Sequence, residues 1–248
     1  MLTVDTGLAT PPPSRGSPHT ATCGQSFSQP SARAPSPDVY KAWGIDVIDS
    51  PLMPGTSKVK QQPFTWSQVQ EIVATNDLDL FARSAPGTDE YLAFKAQLKR
   101  QGTTIQDYLV RHELEWADIQ IPDHKLFTVK DDIKVMYNKF PYYFEDNVTH
   151  LCVWTKVPIP NDPNSATGDI SAYTRAVIDT FVRKLFPDSQ LVWFRNWAAL
   201  QSVRAISHCH VIIKDVDPKL LARALAGDFD VLTEADYKAI DAQFATTS

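Results

Sequence analysis

Several common functional signatures are missing from this chain of 248 residues. Its three cysteines, Cys23, Cys152 and Cys209, are too few and too scattered for a disulfide framework, and no Cys-x-x-Cys pair suggests a zinc knuckle. None of its nine glycines falls in a GxGxxG or P-loop pattern, which excludes the usual dinucleotide and ATP cradles. No apolar run approaches the roughly 18 to 20 residues that span a bilayer. Lys and Arg number 24 against 29 Asp and Glu, and no basic stripe is visible, so duplex nucleic acid is not an expected partner. The N-terminus lacks the charged and apolar regions of a secretory signal, so a cytoplasmic protein without a membrane partner is expected. No internal repeat and no catalytic pair of carboxylates is evident.

What is present divides the chain. Residues 1–40 hold seven of the 18 prolines, with many Ser, Thr and Ala and few large apolar residues. Such a segment cannot bury enough surface to repay its ordering, and a disordered arm is expected. Residues 41–118 read as an extended lead-in followed by a helical block. Thr65 caps a first helix with Val69, Ile72 and Val73 on one face; "TDEYLAFKAQLKRQG" carries acids first and bases last; Thr104 and Asp107 have capping-box spacing. His112 is expected on that last helix as a surface or packing residue.

From 119 to 248 the pattern becomes α+β. Strands are expected over 132–138, 150–156, 190–196 and 206–215, with a helix over 170–186 that Pro187 stops. Asp217 with Pro218 opens a further helix, and Thr233 with Asp236 the last. A mainly antiparallel sheet with flanking helices follows from this order.

The stretch "QSVRAISHCHVII" (201–213) carries the chemistry. Side chains two apart on a strand share a face, about 7 Å apart. His208 and His210 therefore point one way with Ile206 and Ile212, and Cys209 points the other. Burying two imidazoles requires partners for up to four ring nitrogens, so the pair is costly unless it is used. One use is attack on phosphorus by one histidine while the other assists. Another is a metal site completed by His150, with His124 as the reserve ligand. Spacing alone does not choose between them.

"NKFPYYFEDNVTHLCVWTK" (138–156) and "NWAALQSVRAISHCHVII" (196–213) resemble the histidine-triad superfamily, closest to its dinucleoside-tetraphosphate phosphorylase branch. The likeness covers roughly 120–215. Together with the helical block, the whole chain is similar to a fungal family, N-acetylglucosamine-induced protein 1. The resemblance implies a phosphate-containing small molecule, a nucleotide or nucleotide-sugar, bound and cleaved or transferred through His208 and His210. It implies Asn138, Lys139, His150, Arg195, Asn196, Gln201 and Ser202 as substrate-binding positions. It implies no obligatory cofactor, and a homodimer such as many members form. A divalent metal enters only in the alternative with His150, His208 and His210. The pattern departs from three alternating histidines, because Ile206 and Ile212 hold the outer positions. One inserted residue makes His208 the nucleophile and His210 the third histidine; three make His208 the first and His210 the nucleophile. A non-catalytic nucleotide or sugar-phosphate sensor is the second expectation.

Overall fold

In a computed structural model the described residues are 35–49, 55–116 and 120–245. Most of the expected arm therefore lies outside them. Its last residues do not continue the arm: Pro37–Ala42 forms helix α1, with Pro37 in the first turn and Tyr40 buried. The lead-in is also more ordered than an extended segment. Ile45–Asp49 (β1) and Thr56–Lys60 (β2) pair as a two-stranded antiparallel sheet.

Three α-helices follow. Trp66–Thr75 (α2) starts at a complete capping box of Thr65 and Gln68. It ends where Asn76 adopts a left-handed conformation, φ 59°. Ala85–Arg100 (α3) is capped by Ser84, and Ile105–Leu109 (α4) by Thr104. The helix of α4 runs on into a π-helical turn, Val110–Leu114.

The main sheet has the strand order β3-β4-β6-β5, all antiparallel: Ile133–Tyr137 (β3), Val148–Thr155 (β4), Gln190–Phe194 (β5) and Ser207–Lys214 (β6). Helix Ala172–Leu185 (α5) carries the chain from β4 to β5, leaving a place between them for β6. Pro218–Leu225 (α6) and Glu234–Phe244 (α7) complete the chain. The α+β class and the antiparallel sheet expected from the sequence are what the structure has.

The sheet is covered on both faces. On one, Leu151, Val153, Trp193, Cys209, Val211 and Ile213 pack with Ile178 and Phe181 of α5 and Ile240 of α7. On the other, Val192, Phe194 and Ile212 pack with Phe64, Val69, Ile72 and Phe81 of the helical block. Alternation along a strand assigns His208 and His210 to the second face, and Cys209 to the first. The helical block thus lies over the histidines.

Candidate functional site

Strand pairing builds the site. Cys152 lies opposite His210, Trp154 opposite His208, and Phe194 opposite His210 on its other side. Partners directly across an antiparallel pair share a face. His150, Cys152, Trp154, His208, His210 and Phe194 therefore form one patch. Asn138 and Asn196 follow the ends of β3 and β5 beside it. Aromatic rings fix the imidazoles: Trp154 stacks on His208 at 4.0 Å between centroids, and Phe194 on His210 at 4.8 Å.

Above the patch is a cavity of about 180 Å³. Its floor includes His208, His210, Cys152 and Trp154, and its roof includes Tyr91, Phe94, Tyr108 and Glu113 from α3, α4 and the π-helical turn. Arg83 lines it as well, held by its Nε–H to the Phe140 carbonyl at 2.9 Å and stacked over Tyr91 at 4.2 Å. Sequence reading missed Arg83. Nothing in "LFARSAP" marks it; a backbone bond from Lys60 N–H to the Arg83 carbonyl, 2.8 Å, ties it beside β2.

Hydrogen bonds determine which ring nitrogens carry protons. His208 Nδ1 lies 2.9 Å from the Ile206 carbonyl, which can only accept, so Nδ1 is the N–H. The ring lines the cavity, and no described residue hydrogen-bonds its other nitrogen, Nε2. His150 and His210 are tied differently. The Tyr142 backbone N–H lies 3.4 Å from His150 Nδ1, and His150 Nε2 lies 3.0 Å from His210 Nδ1, so one proton between these two ring nitrogens links the rings. The other His210 nitrogen, Nε2, is 3.2 Å from the Asn196 amide. The Asn138 oxygen accepts from Phe140 N–H at 3.0 Å, so its NH₂ donates to whichever nitrogen of that pair holds the lone pair, His150 Nε2 at 3.1 Å or His210 Nδ1 at 3.5 Å.

Burial disfavours the charged forms. Desolvation, with a smaller effect of the Arg83 charge, lowers His150 to about 3. Desolvation lowers His208 to about 4 against the opposing bond to Ile206. His210 is held well below its usual range by burial and then by its two histidine neighbours. Burial pushes the Cys152 thiol far up, so it is an inert thiol at neutral pH.

The sequence-derived positions separate into two groups. Asn138, Lys139, Asn196, Ser202, His208 and His210 line the cavity, with His150 bonded behind His210. Lys139 is paired with Glu113 at 2.6 Å. Arg195 does not reach the cavity: its guanidinium donates to the carbonyls of Gly168, 3.2 Å, and Ile159, 3.3 Å, and holds a loop. It follows Phe194 and so leaves the strand on the opposite side. Gln201 does not line the cavity either, because its Nε2 donates to the Asn196 carbonyl at 2.7 Å and sets that residue's backbone.

The three-histidine metal alternative is corrected too. His208 is turned to Ile206, and the residues whose ligand atoms converge are His150, Cys152 and His210, all within 4.8 Å. By residue type such a cluster can hold a metal ion. Its donors argue for a hydrogen-bond chain instead, since the Tyr142 N–H occupies the second His150 nitrogen and the Asn138 NH₂ points at the cluster. His124, the reserve ligand, sits elsewhere, 2.6 Å from Asp132. His112 is an exposed helix residue against the Tyr108 ring, as expected.

The fold and site define an α+β protein with a buried cluster of neutral histidines under a helical cover. A family model described as "Protein of unknown function (DUF3605)" matches residues 65–214, and the chain belongs to that family. It is similar to N-acetylglucosamine-induced protein 1 of Candida albicans, with 43% identity over 226 residues, 82% of this chain and 89% of that protein. It is also similar to the uncharacterized protein YPL067C of Saccharomyces cerevisiae, with 31% identity over 61% of this chain and 79% of that one. Among solved structures, the crystal structure of HTC1 matches with a TM-score of 0.59 and 27% identity, covering 68% of this chain and all of that chain (100%). No helix among the described residues is long and apolar enough to cross a membrane.

Proposed function

We propose that the protein binds a phosphate-containing small molecule, a nucleotide, nucleotide-sugar or sugar phosphate, in the histidine cavity and cleaves or transfers it at phosphorus through His208. The observation that carries this reading is the tautomer of His208. Its N–H is spent on a backbone carbonyl, its other nitrogen has no hydrogen-bond partner in a ring that lines the cavity, and burial keeps the ring neutral down to about pH 4. A neutral imidazole with an accessible, oriented lone pair is a nucleophile at physiological pH. His210 is not free for that role, since both its nitrogens are engaged. It assists by orienting Asn196 at the cavity floor. This favours the alignment with one inserted residue.

In the proposed reaction Nε2 forms an N–P bond as the P–O bond to the leaving group breaks. The leaving oxygen keeps the electron pair and is protonated from solvent. Water then attacks phosphorus, the P–N bond breaks, its pair returns to Nε2, and the proton of water passes to bulk. The Arg83 cation lines the cavity where phosphate charge develops, and such a charge acts strongly in a dry site. Tyr91, Phe94 and Tyr108 offer faces for a base or a sugar. The name of the Candida relative makes amino-sugar phosphates and nucleotide-sugars the first compounds to try.

The test is turnover of a panel of dinucleoside polyphosphates, nucleotide-sugars and amino-sugar phosphates, with mass spectrometry of the quenched enzyme. The expected result is an acid-labile adduct on His208. His208→Ala should lose at least about 1,000-fold in turnover, while His112→Ala stays at the wild-type level. Full activity in His208→Ala would overturn the assignment. Tight binding of a panel member without any turnover would instead favour the sensor reading, which the two isoleucines flanking the histidine pair already suggest.

A further inference from the structure

A second cavity, of about 260 Å³, lies across Arg83 from the histidines, between β2 and α3. Its wall includes Lys58, Arg83 and Lys95 and no acidic residue. Arg83 and Lys95 flank the same ring: the guanidinium carbon is 4.2 Å and the ammonium 5.3 Å from the centre of Tyr91. Neither cation has a carboxylate within ion-pair distance among the described residues. Lys58 is paired with Asp79 at 2.6 Å and is the one neutralised member. The acids of α3, Asp89 and Glu90, are exposed and do not line the cavity.

The wall also holds an unpaired polar group. Thr88 is 6% exposed, and its hydroxyl is buried without a hydrogen-bond partner. A threonine inside a helix commonly returns its hydroxyl to a carbonyl one turn back. Thr88 does not, and leaving such a group unsatisfied costs about 1 to 3 kcal/mol. Thr88 sits in the first turns of α3, where the helix dipole is positive. Unpaired positive charge, an orphaned donor and a positive helix end converge on one concave space.

We infer that this second cavity is an anion site, which takes a compact oxyanion of the phosphate class between Arg83, Lys95 and the Thr88 hydroxyl. Thr88 donates to one oxygen, Lys95 contributes charge, and Arg83 is shared with the histidine cavity. The site stands on observations separate from those that carry the His208 reading. A molecule with two phosphoryl groups would reach both cavities through Arg83, and a free phosphate would fill this one alone.

Amide chemical-shift mapping of the full chain tests it, with inorganic phosphate titrated at constant ionic strength and chloride as the control. Saturable shifts at Gly87 and Thr88 are expected, at least halved in Thr88→Val and in Lys95→Met, and unchanged in His208→Ala. A nucleoside diphosphate-sugar in a second titration separates the sources: shifts at both Thr88 and His208 mark one ligand spanning both cavities. Shifts at Thr88 alone mark a separate phosphate site. Phosphate shifts confined to His208 and Asn196, or none above the chloride control, would overturn the inference. Because His208→Ala leaves the second site intact, failure of phosphorus chemistry and failure of this site are read independently.

Discussion

Single residues determine the chemistry, and pH reports on them. His208 has an ordinary value near 6.5 and a folded value of about 4. The unfolded chain therefore binds a proton between those values that the folded chain refuses. Stability is full above about pH 6.5 and is lost as pH falls toward 4, and His150 acts in the same sense. His208 alone contributes a loss on the order of 3 kcal/mol. Urea unfolding at pH 7, 5.5 and 4.5 should show this decline, and His208→Gln should flatten it; an equal slope in the variant would mean that His208 is solvated. In a turnover assay the acid limb of kcat/KM should lie near 4, not 6.5. The histidine pair and its shared face were legible in "ISHCHVII", because alternation along a strand is local. The hydrogen bonds of the ring nitrogens were not, since the His208 bond depends on the backbone path at Ile206, and those of His150 and His210 depend on Tyr142, Asn138 and Asn196 from other parts of the chain.

At the scale of elements, caps and strand pairings hold the site in place. Thr65 and Gln68 close the capping box of α2, and α2 presents Val69, Ile72 and Val73 to Ile212 of the histidine strand. Thr65→Ala should cost about 1 kcal/mol in chemical unfolding and leave ligand affinity unchanged, since Thr65 lines neither cavity. Ile212→Ala removes a fully buried side chain at that junction and should cost about 2 to 5 kcal/mol. Helices α2 to α7 and the four main strands were readable because caps, period and β-branched runs are local signals, whereas α1 lies where a disordered arm and an extended lead-in were expected. The pair β1 and β2 was not: its strands are five residues each, β1 is largely exposed, and β2 buries two adjacent residues, Val59 and Lys60, so neither shows a clear apolar alternation. Arg195 was misplaced for a related reason. A charged residue after a strand reads as a site residue until the carbonyls of Gly168 and Ile159 are seen to claim it.

Across the whole molecule, the helical block and the sheet share one apolar cluster, from Phe64, Ile72 and Phe81 to Val192, Phe194 and Ile212. The backbone joins them as well: Phe64 N–H donates to the Tyr143 carbonyl at 2.7 Å, and Tyr143 N–H to the Ala82 carbonyl at 3.0 Å. The two parts should therefore unfold together. Tryptophan fluorescence and far-ultraviolet circular dichroism should trace one coincident transition, and separate midpoints would show the block to be an independent lid. Sequence by itself determined the class of the fold, the face on which the histidines lie and the helices that would need a partner, because these depend on periodicities within a few residues. Only the tertiary structure decided that the block closes over that face, that Arg83 lines the cavity, and that His150 bonds to His210 while His208 does not join them. Those outcomes depend on contacts between residues far apart in the chain, where no local pattern reaches.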